Sequence, residues 1–154
     1  METRVGVISD THGLLRPEAV AALKGSHVIV HAGDVGRPEV LDRLNEIAPT
    51  YAVRGNIDTE AWAMRLPATE AVKVGSLLLW VLHNAAELEL DPVAAKIAAV
   101  ICGHSHKPSI ETLNGVLYLN PGSAGPRRFR LPVTVARLNI KGTIINPEIV
   151  ELDV

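Results

Sequence analysis

Seven side chains able to bind a metal stand just after apolar runs of this sequence. "VGVIS" is followed by Asp-Thr-His, "VIVHAG" by Asp, "YAVRG" by Asn, "LLLWVL" by His and "AAVICG" by His-Ser-His. Imidazole, carboxylate and amide oxygen together suit Mn, Fe, Ni or Zn better than Ca or Mg. The sequence therefore predicts a metal centre with the ligands Asp10, His12, Asp34, Asn56, His83, His104 and His106.

These ligands are too many for one tetrahedral ion, but Asp34 as a bridge would let them serve two ions. Two divalent ions carry more positive charge than Asp10 and Asp34 can neutralise, so the site would attract an anion. A hydroxide bridging ions roughly 3.5–4 Å apart, with an oxyanion held across them, is the two-metal route to phosphate ester hydrolysis. We therefore expect two divalent ions, manganese first with Ni, Fe or Zn as alternatives, and a small phosphate ester as the substrate.

Each motif also has an ordinary structural explanation. The Asp-Thr-His motif could be a turn or a helix cap, and His83 could simply pack at a strand edge. Asn56 follows Gly55 and is by itself typical of a turn, because both residues tolerate a left-handed backbone. The Gly-His-Ser-His motif that begins at Gly103 is the most specific of them. Their combination in this order is what indicates a dinuclear site.

The apolar runs alternate with helical patterns in the first half of the chain. Strands are predicted over 4–9, 27–33 and 50–55, and helices over 16–25 and 37–49, the second stopped by Pro49. Such an alternation predicts a parallel sheet, and ligands bind beyond the carboxyl ends of its strands. The polar residues would thus meet at one edge.

The second half of the chain indicates three hairpins, and residues 59–67 have no assignment. Short turn sequences separate the paired strand patterns at 70–74 and 77–82, at 109–113 and 116–120, and at 132–140 and 143–152. A helix is predicted from Asp91-Pro92 to about Ala98. The pattern predicts an α/β fold in which a partly parallel sheet is continued by antiparallel strands, with helices outside.

The composition is that of an ordinary globular protein. The chain has 154 residues, of which 47% are hydrophobic and 21% charged, and its formal net charge is −2. We expect one domain over 1–154, with no membrane association and no evident stable nucleic-acid binding. No apolar run reaches the roughly 18 residues of a membrane span, and no signal peptide is expected. The single Cys102 excludes an internal disulfide, is expected to pack in the core, and fits a cytoplasmic location.

In their order, the five motifs resemble those of the calcineurin-like metallophosphoesterase superfamily. "VRGNID" (53–58) and "NPGSAGPR" (120–127) are similar to its small bacterial and archaeal phosphodiesterase branch, which also includes a eukaryotic retromer scaffold subunit. The resemblance covers most of the chain and implies two packed mixed β-sheets flanked by helices, a four-layer sandwich. It implies that one ion is held by Asp10, His12, Asp34 and His106, and the other by Asp34, Asn56, His83 and His104.

Through the metal and the placement of substrate, Asp34, Asn56 and His83 would take part in catalysis. Two positions depart from the family pattern. Larger relatives follow Gly-Asn with a histidine thought to assist the leaving group, the small branch often has cysteine there, and this chain has Ile57, which cannot transfer a proton. The family commonly has glycine after the ligand at 83, whereas this chain has Asn84 and then "AAELEL".

Other residues are weaker candidates. His31 could orient the site or simply pack in its strand, and His27 is expected at the surface. Asp58 and Asn120 could support the ligands. A loop with three arginines fits a solvated surface better than a phosphate contact: Arg127, Arg128 and Arg130.

The leading hypothesis is a metal-dependent phosphodiesterase. A phosphomonoesterase at the same site and a non-catalytic protein-binding scaffold on the same fold are the alternatives, and a homo-oligomer is compatible with the sequence. The intact ligand set favours an enzyme, because a scaffold has no need to keep so many buried polar groups together.

Overall fold

Two five-stranded β-sheets form the centre of the computed structural model, which describes residues 2–154. In chain order its elements are β1 (Glu2–Ile8), α1 (Pro17–Leu23), β2 (Val28–His31), α2 (Pro38–Asn45), β3 (Thr50–Ala52), β4 (Thr69–Val74), β5 (Leu77–Leu82), β6 (Ala99–Ile101), β7 (Ser109–Leu113), β8 (Val116–Asn120), β9 (Thr134–Lys141) and β10 (Ile144–Glu151). The first sheet has the order β10-β9-β1-β2-β3, and the second has the order β4-β5-β6-β8-β7.

The strand pairings confirm most of what the sequence predicts. β1, β2 and β3 are parallel, with α1 and α2 in the connections between them. The three hairpins are antiparallel pairs, β4 with β5, β7 with β8, and β9 with β10. Contrary to what the sequence pattern predicted, the antiparallel strands do not all continue the parallel sheet, because the strands form two separate sheets. β9 and β10 extend the first sheet from the free side of β1, and β4 begins a second mixed sheet, as the family resemblance implies.

Aliphatic side chains fill the space between the sheets. Val7 of β1 and Val30 of β2 belong to the same fully buried cluster as Leu79 of β5 and Ile101 of β6. Because successive side chains of a strand point to opposite faces, Ile8 and its neighbours on the other face of the first sheet pack against α1 and α2. The core therefore holds the carboxyl ends of β1, β2, β5 and β6 in fixed relation.

An irregular segment, residues 84–98, packs on the outer face of the second sheet. The predicted helix from Asp91 to about Ala98 is wrong, since residues 92–96 form turns. The Ala95 N–H donates to the Asp91 carbonyl oxygen at 2.9 Å, but Lys96 then takes a φ of 58°, which ends the turn. So short a run forms too few hydrogen bonds to offset the cost of helix nucleation.

The helices are shorter than predicted. α2 ends at Asn45, before the Pro49 that was expected to stop it. The unassigned segment 59–67 contains one short 3-10 turn, Ala63–Arg65. Within residues 2–154, no helix combines the length and the apolar character that crossing a membrane requires.

Candidate metal centre

The seven predicted ligands all lie just beyond the carboxyl ends of strands. Those from the first sheet follow β1, β2 and β3, and those from the second follow β5 and β6. Five of them have a left-handed backbone: Asp10 (φ 55°), His12 (48°), Asp34 (56°), His104 (74°) and His106 (64°). A residue other than glycine in this region costs of order 1 kcal/mol or more and persists only where the surrounding structure enforces it. The chain is therefore bent sharply at these positions to turn the side chains toward one another.

The two carboxylates lie at the middle of the cluster. Oδ1 of Asp10 is 3.4 Å from Nε2 of His106, 3.8 Å from Nε2 of His83 and 3.9 Å from Nε2 of His12. Oδ2 of Asp34 is 3.3 Å from Nε2 of His83 and 3.5 Å from Nε2 of His12. Two groups with metal-ligand spacing result, Asp10–His12–His106 and Asp10–Asp34–His83.

Four buried atoms of this cluster have no hydrogen-bond partner within residues 2–154: Oδ1 of Asp10, Nε2 of His12, Nε2 of His83 and Nδ1 of His106. A buried polar atom without a partner costs about 1–3 kcal/mol. Of these, Oδ1 of Asp10 faces Nε2 of His12 and of His83 without bonding, and oxygen and imidazole nitrogen together are a donor set into which divalent cations fit. The Asp and His groups thus suit divalent metal binding.

Each central ligand uses one atom to bond the chain and leaves the other for the cluster. Oδ2 of Asp10 accepts from the Ser9 hydroxyl at 2.8 Å and from the His104 N–H at 3.1 Å. Oδ1 of Asp34 accepts from the Ile57 N–H at 3.1 Å. Nδ1 of His83 lies 2.7 Å from a carbonyl oxygen, that of Ala32, and must donate to it. The lone pair of His83 is therefore on Nε2, which faces both carboxylates.

The two carboxylates ionise differently. Burial raises the pKa of Asp10 above its ordinary value, although His83 and the Ser9 hydroxyl oppose this. Burial also acts to raise the pKa of Asp34, but His83 and the Ile57 N–H outweigh it and the pKa is lowered. Asp34 is therefore the carboxylate that ionises first as the pH rises.

The pKa values of His83 and His106 are shifted in opposite directions. Burial acts to lower the pKa of His83, but contact with Asp34 and the Ala32 carbonyl raises it. Burial lowers the pKa of His106, and the opposing charge of Asp10 does not offset it. Neighbouring imidazoles thus have different proton affinities within one cluster.

Asn56 and His104 lie together at the exposed rim. Oδ1 of Asn56 and Nδ1 of His104 are 3.3 Å apart, and neither side chain is buried. The His104 N–H bonds Asp10, which joins the pair to the buried cluster. The structure therefore brings all seven predicted residues to one edge, five in close groups and two beside them.

Two motif glycines are required by close packing at the cluster. A Cβ on Gly55 would overlap Oδ1 of Asp34, and a Cβ on Gly103 would overlap the Ser9 hydroxyl. Glycine at these positions lets the strand ends approach the two carboxylates closely.

A model described as the calcineurin-like phosphoesterase superfamily domain matches residues 3–143. The chain belongs to this superfamily.

This chain is similar to other proteins in sequence and in fold. A protein described as a probable metallophosphoesterase from Methanothermobacter thermautotrophicus is 36% identical over 157 aligned residues, covering 95% of this chain and 91% of the relative. A solved archaeal phosphodiesterase has a TM-score of 0.80 at 22% identity, covering 96% of this chain and all of the other. A Zn²⁺ complex of Vps29 from Entamoeba histolytica has a TM-score of 0.74 at 22% identity, covering 97% and 99%.

The weaker candidates support the loops of this calcineurin-like site. Asp58 accepts from the N–H groups of Val35, Gly36 and Gly55 at 2.8–3.0 Å, so it ties two ligand loops together. Asn120 donates to the Gly103 carbonyl oxygen at 3.0 Å.

His31 is fully buried and does more than pack in its strand. Its Nδ1 accepts from the Gly33 N–H at 3.1 Å, so Nε2 carries the proton and donates to the Thr11 hydroxyl at 3.0 Å. The Thr11 hydroxyl in turn donates to the Val35 carbonyl oxygen at 2.8 Å. His31 thus connects the loops that carry Asp10 and Asp34.

His27 and Arg127 lie outside the cluster. His27 is exposed and accepts from the Arg4 N–H. Arg127 donates to the carbonyl oxygens of Leu131 and Val154. Cys102 is half-buried, and burial raises the pKa of its thiol to about 11, so it stays protonated.

Sequence reasoning missed the hydroxyl groups around the ligands. Ser123 donates to the Asp10 carbonyl oxygen at 3.0 Å, and Thr11 bridges His31 to the Val35 carbonyl oxygen. Small polar residues beside a ligand, as in Ser9-Asp10-Thr11, were the available signal.

Proposed function

We propose that this protein is a metal-dependent phosphodiesterase that uses two divalent ions. One ion would be held by Asp10, His12, Asp34 and His106, and the other by Asp34, Asn56, His83 and His104. Manganese is the ion we expect, with Zn, Fe or Ni as alternatives. When bound, such ions supply Lewis-acid chemistry, which lowers the pKa of water and offsets the charge of a phosphate ester.

One observation carries the proposal: Oδ1 of Asp10 lies within 3.9 Å of Nε2 of both His12 and His83 where the two sheets meet, and none of these three buried atoms has a hydrogen-bond partner within residues 2–154. A protein that only bound partners through its surface would gain stability by replacing them. This supports an enzyme over a scaffold, although the fold is shared with Vps29 proteins.

The chain's own groups would hold the reacting centre still. Ala32 fixes the tautomer of His83, and the Ile57 N–H and Ser9 hydroxyl each hold one oxygen of a carboxylate. The side chain of Ile57 is 42% exposed and cannot protonate a leaving group. We therefore expect this site to favour esters whose leaving oxygen needs little protonation.

Metal loading and hydrolysis test the proposal together. Metal-free protein is loaded with Mn²⁺ or Zn²⁺, its metal content is measured by mass spectrometry, and rates are compared for bis(p-nitrophenyl) phosphate and p-nitrophenyl phosphate. We expect two ions per chain and the higher kcat/KM for the diester. His83→Ala should lose one ion and most of the activity. His27→Ala, at an exposed histidine, should keep both ions and the wild-type activity.

Three results would contradict the proposal in different ways. Full metal content without hydrolysis of either ester would indicate a scaffold. A higher kcat/KM for the monoester would indicate a phosphomonoesterase. A wild-type rate in His83→Ala at matched metal concentration would mean that His83 is only structural.

A further inference from the structure

A cavity of about 830 Å³ adjoins the candidate metal centre. Its lining includes three of the seven candidate ligands, Asn56, His83 and His104. Cavities of roughly 300–1,000 Å³ hold drug-sized organic ligands, and a phosphate group by itself needs much less space. The cavity therefore has room for an organic group attached to a phosphate at the centre.

One wall of this cavity is apolar and contains an indole ring. Trp80 is half-buried on the outer face of the second sheet, and Leu88 and Leu90 pack in the same apolar cluster. Asn84 shapes the start of the segment that carries these leucines, because its side-chain oxygen accepts from the Ala86 N–H at 3.0 Å. An indole face beside aliphatic side chains suits stacking with a flat ring.

Arg54 adds a half-buried cation to the lining. Its Nη1 donates to the Leu66 carbonyl oxygen at 2.6 Å, which fixes the guanidinium in place. No second side-chain bond engages this guanidinium within the part of the chain that the structure describes. Its remaining N–H groups can therefore donate to a ligand in the cavity, and its plane can stack on a ring.

Two carboxylates in the lining limit the charge of the ligand. Glu87 and Glu89 are exposed and line the cavity together with Arg54. Two negative groups against one positive group disfavour a second phosphate. The same carboxylates accept hydrogen bonds from N–H and O–H donors of a neutral group.

We propose that this cavity binds a neutral, planar aromatic ester group of nucleoside size, so that the substrates are phosphodiesters with one nucleoside-like group. This rests on the proposed function, because the metal centre must hold the phosphate. Trp80 stacks on the ring, Arg54 donates to ring acceptors, and the glutamates accept from its donors. A purely aliphatic group would use only the apolar wall.

Binding of two monoesters with the same phosphate tests the cavity directly. Isothermal titration calorimetry on zinc-loaded protein compares thymidine 5′-monophosphate with methyl phosphate. We expect a Kd about 10-fold or more lower for the thymidine ester, since only its base can stack on Trp80. In a Trp62→Phe background, Trp80 is the remaining tryptophan, and its fluorescence should change saturably with the thymidine ester.

Two variants and one control assign the effect to the wall. Trp80→Leu keeps an apolar side chain in the cluster, and Arg54→Gln keeps a donor for the Leu66 carbonyl oxygen. Each should shrink the ratio of the two Kd values, with the melting temperature measured to verify folding. Arg65→Gln, at an exposed arginine outside the lining, should leave the ratio unchanged.

Equal Kd values for the thymidine ester and methyl phosphate in the wild type would overturn the proposal. A wild-type ratio of these Kd values in both Trp80→Leu and Arg54→Gln would overturn it too. Octyl phosphate binding as tightly as the thymidine ester would overturn its aromatic part. Hydrolysis of methyl p-nitrophenyl phosphate separates this from the proposed function. If that reaction is absent but the Kd ratio holds, the cavity assignment stands and the phosphodiesterase assignment fails.

Discussion

Oδ2 of Asp34 lies 3.3 Å from Nε2 of His83, although the two side chains come from different sheets. Asp34 follows β2 of the first sheet, and His83 follows β5 of the second. Asp10 and His106 repeat this relationship at 3.4 Å, after β1 and β6. Neither sheet alone can assemble the cluster, so the site depends on how the two sheets pack.

Asp34→Ala should remove most of both ions and the activity. Oδ2 of Asp34 lies within 3.5 Å of Nε2 of both His83 and His12, one histidine from each of the two groups, although Asp10 is the residue that the groups share. Metal content by mass spectrometry is the measurement, and Asp42→Ala, at an exposed position of α2, is the matched control. Full metal content in Asp34→Ala would show that this carboxylate does not bridge.

Activity should fall steeply as the pKa of the leaving group rises. A positioned general acid contributes about 10²–10⁴-fold to the rate, and the exposed Ile57 side chain supplies none. Aryl esters should therefore react far faster than alkyl esters of similar size. Ile57→His should flatten this dependence, because it keeps the backbone N–H that bonds Asp34 and adds an imidazole.

The measurement is kcat/KM across a series of leaving groups, with Ile57→Leu as the control variant. A flat dependence in the wild type, with the chemical step shown to limit the rate, would mean that another group acts as the acid.

Gly55→Ala should weaken metal binding through Asp34. The new methyl group would overlap both Oδ1 and the backbone nitrogen of Asp34, so the loop that carries this carboxylate must shift. We expect metal affinity to fall by about 10-fold or more, which corresponds to roughly 1.4 kcal/mol. Gly75→Ala meets no atom within 4 Å but has a φ of 58°, so it should lower stability and leave metal affinity unchanged. Equal metal affinity in Gly55→Ala and wild type would contradict this explanation.

The free energy of unfolding of the metal-free protein should decrease as the pH falls from about 6.5 to 4, because of His31. Burial lowers the pKa of His31 from 6.5 to about 4, so the unfolded chain takes up this proton before the folded chain does. The free energy of unfolding therefore decreases across that window, by about 3 kcal/mol in total from this group.

Urea unfolding at a series of pH values measures this slope. His31→Gln should show a shallower slope in the same window even if its stability at neutral pH is lower. Identical slopes in wild type and His31→Gln would mean that His31 does not resist protonation in the folded state.

Local patterns were sufficient to predict the strands that carry the candidate ligands. The runs before Asp10, Asp34 and His83 are apolar because the strands are buried, and polarity begins where each strand ends. Turn sequences such as Asn114-Gly115 likewise predicted the hairpins, which the pairings confirm.

Contacts between distant parts of the chain could not be predicted in this way. β9 joins the first sheet by pairing with β1, a choice that its own sequence does not encode. Turns replace the helix that was expected from Asp91 to about Ala98, and the segment just before them packs Leu88 and Leu90 in the same apolar cluster as Trp80. Ser123 reaches the Asp10 carbonyl oxygen from 113 residues away, so no local spacing could reveal it.

The left-handed backbone at five of the candidate ligands also has an evolutionary consequence. Each such residue raises the free energy of the fold, and an ion bound by these ligands would offset that cost. A lineage that no longer needed the metal would gain stability by substituting glycine or asparagine at these positions, without changing either sheet. This edge is thus the part of the fold that relaxed selection would erode first, while the sandwich beneath it persisted.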